Sequence, residues 1–502
     1  MRKREELQNI VFLKSSDLAF FRYKSKIFNL KCNKFFKKWS NRKTIIIMKS
    51  VQIVFVLFLV SVASFAQEKK WTLKECINHA IKNNISIKQS ELDLQATAIS
   101  KKDAIGNFLP TLNGNASHGW NFGFSINPIT NDRTNQTNQF SSFGLNGGFD
   151  VYKGLQNVNQ LRKANLSIIA SQYQLTKMQE DVALNVANAY LQILFNKENL
   201  KVQKEQNALD TKQYNRTVQL VDAGNVPKGD LLDIQATMAS GKQRAIVAEN
   251  ALMLSKLSLA QLLQIQDFQN FDVSDEDMPT MLSTVLNETP EAVIAKAKES
   301  RTELKLAKAN LEIANKDIQI AKGAFQPSLS VNYGLNSNIS YNKIPYLNQS
   351  TGTIDYNKAS PFFQQFEDNF GQNIGISLNI PIFNGFATRN NVQRNKVNYE
   401  KVKLNVSQQE LDVERNVFTA YTDTKAAKES YEAALQIEKA RELAMQYAKD
   451  RYEIGMMNIF DYNQSQTAFV NAQSEVLRTK YDYIFRIKIL EFYFGIPLIE
   501  KQ

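Results

Sequence analysis

Two aspartates occupy equivalent places in the chain, and their surroundings indicate chemistry at a helix turn. Asp230 comes six residues after Gly224, and Asp461 comes six residues after Gly455. Each glycine follows a long segment without glycine or proline, and glycine readily takes the left-handed conformation that ends a helix. Each acid then opens a returning helix, where the helix dipole favours a carboxylate. A second role is electrostatic, because a ring of carboxylates around a narrow channel would attract cations and oppose tight closure.

Residues for enzymatic chemistry do not group together in the sequence. The chain has two histidines, His79 and His118, and no Cys/His spacing that suits a metal. The segment from Gly224 to Gly229 superficially resembles a phosphate-binding loop, but it lacks the G-x-x-x-x-G-K-[ST] order and follows a helix instead of a strand. No set of nucleophile, base and orienting group is recognisable. We therefore predict a protein that is not an enzyme and has no cofactor and no metal site.

Residues 1–66 are interpreted as segments that the mature protein lacks. Residues 48–66 form a signal-peptide pattern, with an apolar stretch from Val51 to Val62 and a small-x-small cleavage motif that ends at Ala66. The apolar stretch is too short for a comfortable transmembrane helix. Residues 1–47 are most simply an extension from a mis-called start. A basic cytoplasmic arm is the alternative.

The charge of the chain belongs almost entirely to this leader. Residues 1–66 hold 14 Lys/Arg and 3 Asp/Glu, which is +11 of the net +12 of the chain. The remainder carries about +1, so the basic composition gives no support for nucleic-acid binding. Cys76 is the single cysteine after the predicted cleavage site, which excludes an intrachain disulfide there. We expect Cys76 to lie on the buried face of a helix.

The rest of the chain is a tandem duplication. The spacing that relates Gly224 to Gly455 recurs over the second part of each repeat, and a slightly shorter spacing relates Pro110 to Pro327 upstream. Each repeat reads as helix, two strands, long helix, turn and helix. We assign the first repeat to 67–270, a linker to 271–288, the second repeat to 289–496 and a tail to 497–502. Within the repeats we place β-hairpins at about 110–152 and 327–383 and long helices at about 155–222 and 386–454.

Alternating apolar residues predict strands that could cross a membrane. Trp120, Phe122 and Phe124 alternate with small or polar residues, and so do the apolar residues of the segment from Ile374 to Ile382. Strands of about ten residues are long enough to cross a bilayer when tilted. We therefore expect Phe122, Phe124, Ile376 and Leu378 to face lipid.

The long polar helices predict a tube that continues beyond the membrane. About 68 residues at ~1.5 Å each make a rod of about 100 Å, over three times the thickness of the hydrocarbon layer. Narrow apolar seams, such as Val182, Val186 and Ile193, suit side-by-side coiled-coil packing. Four strands cannot close a barrel, and an open edge in lipid leaves backbone groups unpaired. Three copies would supply twelve strands and a pseudo-sixfold tube.

Together these features resemble the TolC-type outer-membrane efflux proteins over residues 71–496. The resemblance rests on the segment from Trp71 to Ala80, on Phe108-Leu109-Pro110 and Phe325-Gln326-Pro327 before the hairpins, on Asn384-Gly385, and on the paired Gly and Asp residues. It implies an α+β membrane protein whose four strands complete a 12-stranded barrel in a homotrimer, continued as a periplasmic coiled-coil tunnel. It further implies an outer-membrane location, lipid contact, and delivery of cargo by an inner-membrane transporter through a periplasmic adaptor protein.

The resemblance also assigns roles at the two helix turns. It implies a ring at Asp461 and a closing contact between Asp230 and Tyr452, and we include Asp233 in the same constriction. The sequence departs from the family pattern where a basic residue and a second acid are expected, since Met457 and Gln464 stand there. The tips are expected to dock the adaptor, and their residues are Gly224, Asn225, Val226, Gly455, Met456 and Met457.

Three functions compete at this level. The first is the trimeric exit duct of an efflux or type I secretion system. The second is a periplasmic coiled-coil adaptor or structural protein without transport, which would lack hairpins of membrane-crossing length. The third is an enzyme, which would need a recognisable catalytic site.

Overall fold

The fold was analysed in a computed structural model that describes residues 70–126, 133–135, 137–275, 284–341 and 344–496. The predicted extension, signal peptide, cleavage site and tail lie outside these residues. The helices are α1 (Leu73–Asn83), α2 (Ile85–Gly106), α3 (Gln156–Asp222), α4 (Lys228–Leu263), α5 (Pro290–Ser300), α6 (Thr302–Gly323), α7 (Phe362–Asp368), α8 (Ala387–Glu453) and α9 (Ile459–Phe494). The long helices α3 and α8 have 67 residues each, which corresponds to about 100 Å.

A four-stranded antiparallel sheet stands at one end of these helices, in the order β10–β7–β5–β2. Short paired strands accompany it beyond the hairpin ends and beside the helices. The strands are β1 (Lys70–Trp71), β2 (Thr111–Asn121), β3 (Phe124–Ile126), β4 (Arg133–Asn135), β5 (Asn138–Lys153), β6 (Asp272–Val273), β7 (Ser328–Ser340), β8 (Ile344–Asn348), β9 (Thr353–Asn357) and β10 (Gly371–Asn379).

The sheet has one apolar and one polar face, because side chains alternate along each strand and the register keeps like positions side by side. The apolar face includes Leu112, Leu145, Val331, Leu335, Ile374, Ile376 and Leu378. The polar face includes Asn113, Asn115, Asn146, Asn332, Asn336 and Asn373. Ile376 is 73% exposed in the single chain, so the apolar face has no cover from the chain itself.

The first strand of the sheet lies earlier in the chain than the alternation of Trp120, Phe122 and Phe124 predicts. Phe122 and Phe124 lie outside the four-stranded sheet, since β2 ends at Asn121 and Phe124 begins β3 after Gly123, whose φ is 126°. Gly114 and Ala116 hold outward positions in the middle of β2, and the partner strand supplies the large side chains opposite them. Gly114, for example, lies opposite Leu145. The strand therefore looks polar when it is read alone.

The first helix of the first repeat, predicted as one element, is divided in two at Asn84. The Asn84 side chain accepts a hydrogen bond from the Ser86 N–H at 2.9 Å and donates one to the Leu262 carbonyl at 3.1 Å. The second repeat breaks at the equivalent residue, Arg301, with φ −63° and ψ 130° against −60° and 133° at Asn84. Tertiary contacts cause both breaks, because neither place contains glycine or proline.

The helical core changes character along its length. Next to the junction of α1 and α2 it is apolar, and Cys76, Ile77, Val186 and Ile193 have no exposed surface, which confirms the expected burial of Cys76. The predicted seam of Val182, Val186 and Ile193 is buried as well, and so are the equivalent positions of the second repeat, Val413, Val417 and Thr424. Nearer to the helix turns, the buried positions of α3 are polar: Gln203, Gln206, Asp210 and Thr217.

Candidate functional site

The two helix turns have the same backbone geometry. Gly224 and Gly455 both have φ of 75°, as the sequence predicts for glycines that end helices. The Asn225 N–H donates to the Leu220 carbonyl at 2.9 Å, and the Met456 N–H donates to the Arg451 carbonyl at 2.8 Å. These bonds satisfy carbonyls at the helix ends and fix two tight tips.

The tips present apolar side chains that contact little of the chain. Met456 is 66% exposed and Ile454 is 69% exposed, while Val226 and Met457 are half-buried. Exposed apolar groups on a tight turn suit contact with another molecule.

Asp461 lies in the first turn of α9 and bonds to the residue that caps this helix. Asn458 is the N-cap of α9, its Oδ1 accepts from the Asp461 N–H at 2.8 Å, and its Nδ2 donates to Asp461 Oδ2 at 2.9 Å. This reciprocal pair satisfies a helix N–H group and places a carboxylate in the first turn. The side chain of Asp461 is nevertheless exposed, so its charge is open to solvent.

Asp230 and Asp233 lie on the first two turns of α4. Asp230 is half-buried in the first turn, after Pro227, which provides no side-chain cap. Asp233 is exposed, and its carbonyl accepts a hydrogen bond from the Thr237 hydroxyl. The two acids therefore differ in surroundings, and the half-buried Asp230 is the one close to Tyr452.

Tyr452 on α8 is linked to Gln213 on α3. The sequence alone assigns no role to Gln213. The Tyr452 hydroxyl accepts a hydrogen bond from Gln213 Nε2 at 3.1 Å, and the Tyr452 ring stacks on Tyr462 with centroids 5.1 Å apart. Burial raises the pKa of Tyr452, and the nearby positive charge of Arg216 opposes this rise, whereas the negative charge of Asp230 adds to it. The family pattern expects a basic residue at the position of Met457. Arg216 instead supplies a positive charge near Tyr452.

A buried acid lies further from the tips, between α3 and α4. Asp210 is 2% exposed, and its Oδ1 accepts a hydrogen bond from Gln206 Nε2 at 2.6 Å. Its Oδ2 has no hydrogen bond and lies 3.8 Å from the Arg244 guanidinium. Gly241 makes room for this carboxylate, because a Cβ there would overlap Oδ2. Burial raises the pKa of Asp210.

Replacing Asp210 by asparagine should stabilise the protein at neutral pH. A raised folded-state pKa means that the fold prefers the protonated acid, so wild-type stability falls as pH rises from the unfolded-state pKa through the folded-state pKa. Asp210→Asn is always neutral and should melt a few degrees higher than wild type at pH 7.5, with a smaller difference at pH 4.5. Thermal unfolding in detergent measures both. Asp222→Asn, at an exposed site on the same helix, is the control, and an equal gain in both variants would contradict the role of burial.

A family comparison decides what kind of protein carries these turns. The model of the outer membrane efflux protein family matches residues 76–263 and 293–490. This chain belongs to the outer membrane efflux protein family. The two matched intervals contain α3 with α4 and α8 with all but the last four residues of α9, and both tips lie inside them.

Individual members of the outer membrane efflux family match most of the chain. The sequence is 24% identical over 426 residues to the outer membrane protein TolC of Vibrio cholerae serotype O1, covering 83% of this chain and 88% of that protein. It is 24% identical over 427 residues to the cation efflux system protein CusC of Escherichia coli K12, covering 82% and 83%. The crystal structure of the Campylobacter jejuni CmeC outer membrane channel has the same fold, with a TM-score of 0.70 at 20% identity over 86% of this chain and 87% of that one.

Membership gives the helix turns a context. This outer membrane efflux protein is an outer-membrane component of efflux, and family members are channels. Among the residues that the structure describes, no group of His, Cys, Asp and Glu is arranged to hold a metal ion.

Proposed function

We propose that this protein forms a homotrimeric exit duct, with a 12-stranded barrel in the outer membrane and a helical tunnel in the periplasm. An inner-membrane transporter and a periplasmic adaptor would deliver cargo to its closed end, and cargo would leave passively. One observation carries the proposal: the sheet and the helical layer of the single chain both stop at the same two open edges.

The edges of the sheet belong to β2 and β10, each of which pairs with one strand only. An unpaired strand edge is costly in lipid, because no water is present to satisfy its backbone groups. Pairing β10 of one copy with β2 of the next removes every edge when the ring closes. Three chains then supply twelve strands, a number that an outer-membrane barrel can use.

The edges of the helical layer are α2 and α8. In the upper half of the helices α2 packs on α3, α3 on α6 and α6 on α8, which leaves the outer sides of α2 and α8 uncovered. Both carry exposed apolar residues seven positions apart, a spacing typical of helix-to-helix seams. These residues are Ile85, Leu92 and Ile99 on α2 and Val397, Leu404, Leu411 and Phe418 on α8.

The contact between the two repeats of one chain predicts how these stripes meet. Glu180 on α3 accepts a hydrogen bond of 2.8 Å from Thr302 on α6. In the duplication, Leu411 is the equivalent of Glu180 and Ile85 is the equivalent of Thr302, so the same contact between neighbouring copies joins Leu411 to Ile85. In the same antiparallel register Leu404 meets Leu92 and Val397 meets Ile99. The proposed contact between copies thus has three apolar layers, whereas the equivalent contact between the two repeats of one chain is polar.

Cysteines at Leu404 and Leu92 should crosslink neighbouring copies. Both positions are exposed, at 70% and 61%, and they lie on opposite edges of one chain. Oxidation of membranes that contain the double variant should give covalent dimers and trimers on a non-reducing gel, and each single variant should give neither. Cys76 is buried and should not contribute.

The control pair tests the register as well as the contact. The control variant combines Leu404→Cys with Ile99→Cys. Its second cysteine lies about 10 Å further along α2 than position 92, which is beyond the reach of a disulfide. Equal crosslinking of both pairs, or no crosslinking in either, would refute the proposed interface.

The polar face of the sheet supports a passive lumen. Its asparagine side chains lie over glycines of adjacent strands, since a Cβ on Gly144 would come within 2.7 Å of Asn115 Oδ1 and one on Gly148 within 2.8 Å of Asn332 Oδ1. The glycines let the carboxamides lie close to the sheet and keep the wall thin. Its lining is mostly amide, with the paired charges of Asp150 and Lys153 at the end next to the helices, which suits transit without strong binding.

The helix tips form the other end of the proposed duct. Three copies place six tips around one axis, and we assign adaptor docking to Gly224, Asn225, Val226, Gly455, Met456 and Met457. The closing network comprises Tyr452 with Asp230, Gln213 and Arg216, while Asp461 and Asp233 supply charge around the constriction. The half-buried position of Tyr452 and the exposed carboxylate of Asp461 support these roles.

A further inference from the structure

The short helix α7 closes a gap in the sheet at the end remote from the long helices. The pairing of β10 with β7 begins at Gly371 opposite Asn336, so Ser337–Ser340 have no strand on that side. Gln365 takes the place of a strand: its Nε2 donates to the Ser340 carbonyl at 2.9 Å, and its Oε1 accepts from the Ser340 N–H at 3.0 Å. Asn369 Nδ2 donates to the Asn338 carbonyl at 2.6 Å.

Phenylalanines fix α7 to the apolar face of the sheet. The rings of Phe362 and Phe366 each stand edge-on to Phe143, with centroids 5.8 Å apart. Phe143 lies on the same face as Leu145 and Leu335, because it is an even number of residues from Leu145 on β5. The Ser337 hydroxyl adds a hydrogen bond of 2.9 Å to the Phe366 carbonyl. The helix therefore sits outside the polar face that we assign to the lumen.

Two aromatic side chains of this segment remain largely exposed, although the ring of Phe363 stands edge-on to that of Phe362. Phe363 is 78% exposed and Phe370 is 47% exposed. At about 100° per residue, Phe363 points away from the Gln365 side of the helix and adjoins the side of Phe362 and Phe366. Gln364 and Asp368 form the remaining, polar side. The helix is thus divided into an edge-capping side, a sheet-packing side, an exposed aromatic side and a polar side.

We propose that α7 is a lipid-binding element of the outer leaflet, whose Phe363 and Phe370 insert among acyl chains. The proposal rests on the proposed barrel, and its support is continuity: the exposed aromatics extend the apolar band of the sheet to its far rim, where barrels carry aromatic girdles. A second copy is the less suitable occupant, because the neighbouring β2 would be engaged by β10 from Gly371 onward. A trimer would have three copies of α7.

Spin labels on α7 test the proposal. Phe363→Cys, Gln364→Cys and Ile376→Cys variants would be labelled and reconstituted in phosphatidylethanolamine/phosphatidylglycerol vesicles. Oxygen, which concentrates in acyl chains, and a water-soluble nickel complex then report the surroundings of each label. We expect an oxygen-to-nickel accessibility ratio several-fold higher at 363 than at 364 and similar to that at 376.

The outcomes separate this proposal from the barrel itself. A nickel-accessible label at 363 beside an oxygen-accessible label at 376 overturns lipid binding by α7 and leaves the barrel intact. A label at 363 that neither reagent reaches shows contact with a neighbouring copy and also overturns it. A nickel-accessible label at 376 overturns both the barrel and the role of α7.

Discussion

Replacing Gly106 by valine is expected to prevent trimer formation while the single chain stays folded. Within the chain, a Cβ on Gly106 would have no atom within 4 Å. Its equivalent in the second repeat, Gly323, is crowded, because a Cβ there would overlap the carbonyl oxygen of Gly154 at the turn from β5 into α3. The equivalent of Gly154 in the second repeat is Gly385, which also has no neighbour within 4 Å and has φ of 61°.

The same close approach should therefore recur between copies, with Gly106 of one against Gly385 of the next. A valine side chain at this point would separate the two backbones just below the barrel, where β10 and β2 of adjacent copies must pair. We expect trimer to fall at least tenfold on semi-native gels of detergent extracts, with unchanged helix content by circular dichroism.

Gly229→Val is the matched control for this prediction. A Cβ on Gly229 would likewise have no atom within 4 Å, but Gly229 lies at the start of α4, away from both edges of the sheet. The control should leave trimer levels normal. Wild-type levels of trimer in Gly106→Val would rule out the proposed repetition of the contact between repeats.

Removing the polar links of Tyr452 should open the tip of the tunnel. The double variant Tyr452→Phe with Asp230→Ala removes the hydroxyl that accepts from Gln213 and the acid beside it. Each polar link contributes about 1 kcal/mol, so their joint loss shifts the balance between closed and open tips by roughly 2 kcal/mol, or about thirty-fold. Resting conductance in single-channel recordings should rise, and cells should become sensitive to large antibiotics.

Tyr447→Phe is the matched control for the gate, since Tyr447 lies on the same helix and is 63% exposed. It should leave conductance unchanged. Asp461→Asn tests the charge separately, because asparagine retains an oxygen that can accept from Asn458. It should lower cation selectivity without raising resting conductance. Unchanged conductance in the double variant would leave Tyr452 as a packing residue.

The sequence by itself determined the features that depend on local pattern. The duplication is visible as recurring residues, and the long helices follow from some seventy positions without a helix breaker. The glycines that end these helices were identifiable because few other residues adopt positive φ at low cost, and both have φ of 75°. The family resemblance followed from the order of these motifs.

Only the tertiary structure decided the features that depend on distant partners. The middle of β2 belongs to the apolar face because β5 provides the large side chains opposite Gly114 and Ala116. The first helix breaks at Asn84 because its side chain reaches the Leu262 carbonyl, 178 residues away. Tyr452 is joined by Gln213, 239 residues earlier in the chain, and Asp210 is buried because Gly241 leaves room for it. Such contacts leave no periodic signal in the sequence, since each is made by one side chain across a gap that only the folded chain closes.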